Sequence, residues 1–179
     1  MIKEPMPARL LTKLSLLLAA TLLFACSFNA RNTQQQMVNT QPAPTPLYRD
    51  PIYDGAADPT VLWNPLTKTW FMYYTNRRAN MQSPDGVEWV HGTPIGIAES
   101  SDGGVTWKYK TNAVIHYPTT SPDEITYWAP DVFFDGTQWH MYLTIVPGIF
   151  SDWKHPSTIA HLTSSDMLEW HYQSTLLLA

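Results

Sequence analysis

The chain is predicted to be all-β, built as about two blades of a β-propeller. Three observations lead there. Two segments repeat with their order preserved. Each copy reads as strand, turn, strand, loop, strand, turn, strand. No apolar stripe of helical period runs through the folded part. The first copy is Asp58-Pro-Thr-Val-Leu-Trp-Asn, then Trp70-Phe-Met-Tyr-Tyr-Thr75. The second is Asp131-Val-Phe-Phe-Asp-Gly, then Trp139-His-Met-Tyr-Leu-Thr144, so both carry W-x-M-Y-x-T. Ser100-Ser101-Asp102 runs on to Trp107, as Ser164-Ser165-Asp166 runs on to Trp170. The offsets of 73, 69 and 64 residues drift while the order holds, which marks a repeat.

Taken in order, 59–63 is a short apolar run and reads as the innermost strand of the first unit. Asn64-Pro65 opens a turn, and the aromatic and β-branched stretch 70–75 is the second strand. Residues 95–99 (IGIAE) form a third, and a fourth starts at Trp107. In the second unit Asp135-Gly136 takes the place of the Asn-Pro turn. Closed propellers take about four to eight blades, and stacked repeats need about three to cover their apolar faces. The run Leu176-Leu177-Leu178-Ala179 reads as part of a strand, so the expectation is a truncated propeller. A small β-sandwich using the same strands is the alternative arrangement. Trp70, Trp107, Trp139 and Trp170 recur at repeat positions and read as blade core.

Composition narrows the function. The 179 residues carry 11 Lys and Arg against 15 Asp and Glu, a net charge of −4 that argues against nucleic acid as a partner. With 8 Trp, 9 Tyr and 6 Phe and a 44% hydrophobic content, the chain is a packed domain and not a disordered one. A single cysteine excludes a disulfide scaffold and an all-cysteine zinc site.

That cysteine has a specific place. Residues 1–25 begin with Lys3, Arg9 and Lys13 and continue into an apolar run from Leu14 to Ala25. The run is shorter than the about 17–25 residues a span requires, and it suits a signal-peptide core. It ends Leu23-Phe24-Ala25-Cys26, which resembles the lipobox of bacterial lipoproteins. The resemblance implies lipidation of Cys26 and a place in the bacterial cell envelope. Ser27 rather than Asp after the cysteine points to the outer membrane; an ordinary secretory signal with a chance cysteine, giving a periplasmic protein, is the other reading. Residues 26–46, rich in Asn, Gln, Thr and Pro, form a flexible tether, and the folded part is 47–179.

The candidate chemistry rests on two carboxylates. Asp58 opens an innermost strand in G-A-A-D-P-T-V, and Asp131 is expected at the equivalent place in Y-W-A-P-D-V. Innermost strands line the axial channel, so both side chains are expected at its mouth. Two carboxylates in one pocket ionise separately, which suits glycosidic hydrolysis by a base and an acid. The bland reading is that each aspartate caps a turn beside its proline. Trp128 and Tyr127 are the sugar-platform candidates, since aromatic faces commonly line such pockets. Arg77, next to Arg78 in Y-T-N-R-R-A-N, is a candidate for sugar hydroxyls or a carboxylate substituent; a solvated loop pair is the alternative. His91, His116 and His140 lack close metal-ligand spacing, and His155 and His161 do not form a recognisable zinc pattern, so no metal ligand is assigned.

Gly55-Ala-Ala-Asp-Pro-Thr60, Trp70-Phe-Met-Tyr-Tyr-Thr75, Tyr127-Trp-Ala-Pro-Asp-Val132 and the turn Ser165-Asp-Met-Leu-Glu-Trp170 together resemble glycoside hydrolase family 43, a group of five-bladed propellers. The resemblance implies an inverting hydrolase that releases terminal or side-chain arabinose, xylose or galactose from polysaccharide fragments. It implies that Asp58 is the general base and that Asp131 tunes and orients the acid. The acid itself is a third-blade Glu in that family, and no residue here matches it; Glu124 precedes the W-A-P-D motif and is no substitute. Such a fragment alone is expected to turn over nothing. The family needs no cofactor, although a structural cation such as calcium occurs in relatives, and no ligand for one is assigned here. Two other readings stay open. One is a non-catalytic, lipid-anchored glycan-binding propeller. The other is a sialidase-like propeller, since Ser100-Ser-Asp-Gly-Gly-Val-Thr-Trp107 fits that group's turn, but no Tyr nucleophile with an Arg trio accompanies it.

Overall fold

The computed structural model describes residues 47–121 and 124–176. The signal segment, Cys26 and the tether lie outside them. Among the described residues there are nine strands: β1 (Ala57–Asn64), β2 (Thr69–Thr75), β3 (Ile95–Ser100), β4 (Lys108–Asn112), β5 (Val114–His116), β6 (Thr126–Phe134), β7 (Trp139–Val146), β8 (Thr158–Ser164) and β9 (Glu169–Leu176). They form two sheets, β1-β2-β3-β4 and β5-β9-β8-β7-β6. The fold is all-β, with two propeller blades. The strands expected at 70–75 and 95–99 are β2 and β3, and the turns between strands are where the sequence places them.

The turns recur because each is closed by a side chain a few residues away. Asn64 Oδ1 accepts the Leu66 amide at 2.9 Å, and Asp135 Oδ1 accepts those of Thr137 and Gln138 at 2.7 and 2.9 Å. In the S-S-D turns, Ser100 Oγ accepts the Gly104 amide at 2.9 Å and Ser164 Oγ accepts that of Met167 at 2.8 Å. Asp102 accepts the Thr106 hydroxyl and amide at 2.6 and 2.9 Å, and these bonds, the hydroxyl's first, hold its carboxyl down at about 2. The Gln138 amide, then His140, hold Asp135 equally low. Both groups titrate below their unfolded range. Their stabilisation is therefore fully present above the ordinary carboxyl value of 3.8 and is lost as pH falls through about 2. Melting curves between pH 5 and pH 2 should show a smaller acid destabilisation in Asp102→Asn than in the parent chain. Parallel curves would remove Asp102 from the acid response.

The two blades share one core. Alternation along β2 sends Phe71 and Tyr73 toward the second blade and Met72 and Tyr74 to the opposite face. Phe71, Tyr73, Ile95 and Ile97 pack with Val132, Met141, Leu143, Leu162 and Trp170. Tyr73, fully buried, donates its hydroxyl to the Met167 carbonyl at 2.5 Å and meets Trp170 edge-on at 5.9 Å. Of the four tryptophans expected in the core, Trp139 and Trp170 are buried, while Trp70 and Trp107 are only half-buried. The far face of the first blade is covered by the segment before β1. Tyr48 and Tyr74 share a hydroxyl hydrogen bond at 3.0 Å, and Tyr74 donates to the buried Asp50 at 2.5 Å.

One element was not expected. After β4 the chain leaves the first blade and runs as β5 along the outer edge of the second, parallel to β9. The Ala113 amide still bonds Ile95 of blade one at 2.8 Å, while the Val114 amide bonds Leu168 of blade two at 2.9 Å. A three-residue strand of this kind has no periodicity to read. Its pairing is made by backbone groups distant in sequence.

Candidate functional site

Each innermost strand carries a bulge at its start, and the bulges build the site. In β1 the register slips between Ala57 and Thr60, and in β6 between Trp128 and Asp131. The residue before proline in each is left-handed: Asp58 at φ 49° and Ala129 at φ 46°. A left-handed non-glycine residue costs about 1–3 kcal/mol and must be held by its surroundings. Ala57 faces Thr75 and Trp128 faces Thr144, so the bulges are structurally equivalent. Asp58 therefore corresponds to Ala129, and Asp131 to Thr60. The expectation that the two aspartates occupy one repeat position does not hold, because one precedes its proline and the other follows it.

A cavity of about 260 Å³ opens where the two bulges meet, and its lining includes Asp58, Thr75, Arg77, Trp89, Trp128 and Trp153. Thr75 locks the blades together here. Its Oγ1 accepts the Ala129 amide at 2.9 Å, which leaves its own proton to be donated to Asp58 Oδ2 at 3.3 Å. Asp58 is otherwise open to solvent. Arg77 lies beside it with its guanidinium over the Trp89 ring at 5.4 Å. The half-buried Arg77 side chain makes no hydrogen bond or ion pair among the described residues, so its donors are free for a ligand. Gly55 permits this placement, since a Cβ there would fall 2.0 Å from the Arg77 carbonyl oxygen. The Trp153 ring stands 5.9 Å from both Trp89 and Trp128, and Trp128 is propped edge-on by Phe150 at 5.9 Å.

Three of the five residues singled out by sequence thus share one cavity: Asp58, Arg77 and Trp128. Tyr127, one residue from Trp128, points to the other face of β6 and packs against the interblade core, where burial pushes its hydroxyl up. Asp131 is exposed and is not among the cavity's lining residues. Val132 next to it enters the core, so Asp131 sits on the opposite face of β6, across from Tyr142. His140, to which no metal was assigned, bonds His161 at 2.8 Å and Asp135 at 2.9 Å. Sequence reading missed Trp89 and Trp153. The signal was available: each stands in the loop joining the second and third strands of its blade, at 76–94 and 147–157.

A wider groove of about 750 Å³ lies on the other side of the same loops, lined by Arg78, Asp85, Glu88, His91 and Phe150 among others. Arg78 is committed there to the His91 carbonyl at 2.6 Å. The smaller cavity joins, among the described residues, a free guanidinium, a carboxylate and indoles packed edge-on or tilted against one another. The cation that the resemblance allows would need several oxygen donors gathered in the channel. The cavity lining offers Asp58 and two threonine hydroxyls, which does not fit such an ion.

No family model matches the sequence, and no curated protein matches it. Among solved structures, the chain is similar to a GH43 β-1,3-galactosidase determined with galactodeoxynojirimycin, at 14% identity and a TM-score of 0.53. That match covers 75% of this chain and 38% of the other. An N-acetylgalactosamine deacetylase from F. plautii, in complex with blood group B trisaccharide, matches at 14% identity and a TM-score of 0.48, over 65% of this chain and 29% of that one. The chain thus spans well under half the length of either. The first likeness supports a propeller of this kind as the fold.

Proposed function

We propose that the cavity is the sugar-binding and water-activating part of an inverting glycoside hydrolase that releases terminal or side-chain sugars such as arabinose, xylose or galactose. The observation that carries the reading is Asp58 held beside a free guanidinium and three indoles in one cavity at the meeting of two blades. In this proposal the sugar ring lies on Trp128 or Trp153, and Arg77 takes its hydroxyls. Asp58, ionised and oriented by Thr75, takes a proton from the water that attacks the anomeric carbon. Inversion requires about 6.5–9.5 Å between acid and base so that water fits between them, and an open carboxylate at a cavity mouth suits that water. Asp131 is outside the lining, so it receives no contact with the sugar; any effect on the acid would act through the local field. Lipidation at Cys26 would hold the domain at the cell envelope.

One observation favours a second reading. Asp58 is the only carboxyl among the cavity's described lining residues, and a glycan-binding module without turnover needs no acid. Calorimetric titration of the chain with galactodeoxynojirimycin and with arabinose and xylose oligosaccharides tests the shared premise. At least one should bind, and Trp128→Ala should weaken it by about 30-fold, the typical loss for an aromatic anchor. Binding that ignores Trp128 would exclude this cavity under both readings.

A further inference from the structure

A second cluster lies on the outer edge of the second blade, where β5 runs beside β9. The pairing sets His116 directly opposite His171 and Ile115 opposite Trp170. Period-two alternation puts Glu169 on the same face as His171. The two imidazoles stack at 4.6 Å between centroids and 7° between planes, and His116 Nε2 stands 3.5 Å from Glu169 Oε2. One ligand atom from each of the three residues lies within 4.8 Å of the others. The remaining histidines are engaged elsewhere: His140 with His161 and Asp135, His155 with the Pro156 carbonyl, and His91 with the Phe150 amide. His116 and His171 are the two whose ring nitrogens make no hydrogen bond among the described residues.

We infer that His116, Glu169 and His171 form a zinc-type divalent metal site that fastens the β5 strap to the second blade. The donor set decides the class of ion. Two imidazoles and one carboxylate suit zinc and its borderline neighbours, whereas calcium and magnesium want oxygen throughout. Zinc binds imidazole nitrogen at about 2.0–2.1 Å and lies in the ring plane, so both rings must turn from their stack and draw closer. All three side chains are exposed, which leaves them free to do so. The three protein ligands leave a fourth tetrahedral position for water. The site joins blade one's exit to blade two's last strand, so metal binding would hold the two units in register by closing a link between residues 116 and 169–171. It lies apart from the Asp58 cavity and does not depend on the function proposed for it.

The test uses untagged, chelator-stripped chain titrated with zinc chloride, followed by calorimetry and thermal melting. One zinc per chain should bind and raise the melting temperature. His116→Ala and His171→Ala should each weaken binding at least 10-fold and abolish the thermal shift, with His155→Ala unchanged. Cobalt(II) in place of zinc should give intense visible absorption in the parent chain and not in His171→Ala, and far-ultraviolet circular dichroism of both variants should match the parent. No saturable zinc binding, or binding that His116→Ala and His171→Ala leave intact, would overturn the assignment.

Discussion

Asp58→Asn should lower the turnover of aryl arabinofuranosides, xylosides or galactosides about 1,000-fold, with KM almost unchanged, in the polypeptide as its organism makes it. The size follows from the role, since a positioned general base contributes about 100- to 10,000-fold. Asparagine keeps the shape and can still accept the Thr75 hydroxyl through its amide oxygen, so the bulge and the cavity should survive. What it loses is the ability to take a proton from water. The loss should therefore fall on kcat, because an interaction used only in the transition state leaves ground-state binding intact. Trp153→Ala should behave in the opposite way and raise KM first, since its ring lines the cavity and its proposed part is to hold the sugar, not to move a proton. Equal, measurable rates for Asp58→Asn and the parent would remove Asp58 from the mechanism.

The second large effect concerns the joint between blades. Trp170 is fully buried, meets Tyr73 edge-on, and stands in the core that both sheets share. Trp170→Ala should cost about 3–5 kcal/mol, the range for removing a large buried aromatic. Against a typical total of about 5–15 kcal/mol, that is enough to unfold a marginal two-blade unit. Tyr73→Phe is the finer probe. It deletes the hydroxyl that the buried Met167 carbonyl accepts and should cost about 1–3 kcal/mol without leaving a cavity. Urea unfolding should give one transition for the parent chain, with both variants shifted to lower midpoints. Two separate transitions in the parent would mean that the blades fold independently and that the cavity between them is not rigidly formed.

The sequence was most readable where structure is local. The W-x-M-Y-x-T strands carry their own alternation, and the Asn64, Ser100, Asp135 and Ser164 turns are closed by hydrogen bonds spanning a few residues. It was least readable where a backbone detail shifts the frame. Asp58-Pro59 and Pro130-Asp131 look alike as motifs, but the equivalent left-handed bulges align Asp58 with Ala129, and this sets Asp131 two positions away from its expected counterpart. Trp89 and Trp153 went unnoticed because they sit in loops without strand periodicity, yet they are two of the three indoles that make the cavity. The His116 and His171 pair was hidden for a different reason. Its members come from strands that only the β5 crossover brings together, so no ligand spacing along the chain announces them.

A crystal structure with galactodeoxynojirimycin or a bound arabinose or xylose oligosaccharide tests the central claim most directly. The sugar should lie in the cavity against Trp128 or Trp153, with a hydroxyl on Arg77 and its anomeric carbon facing Asp58 across room for one water. A sugar seated instead in the wider groove beside Arg78 and His91, or an Asp58 carboxylate shut off from the ligand, would contradict it.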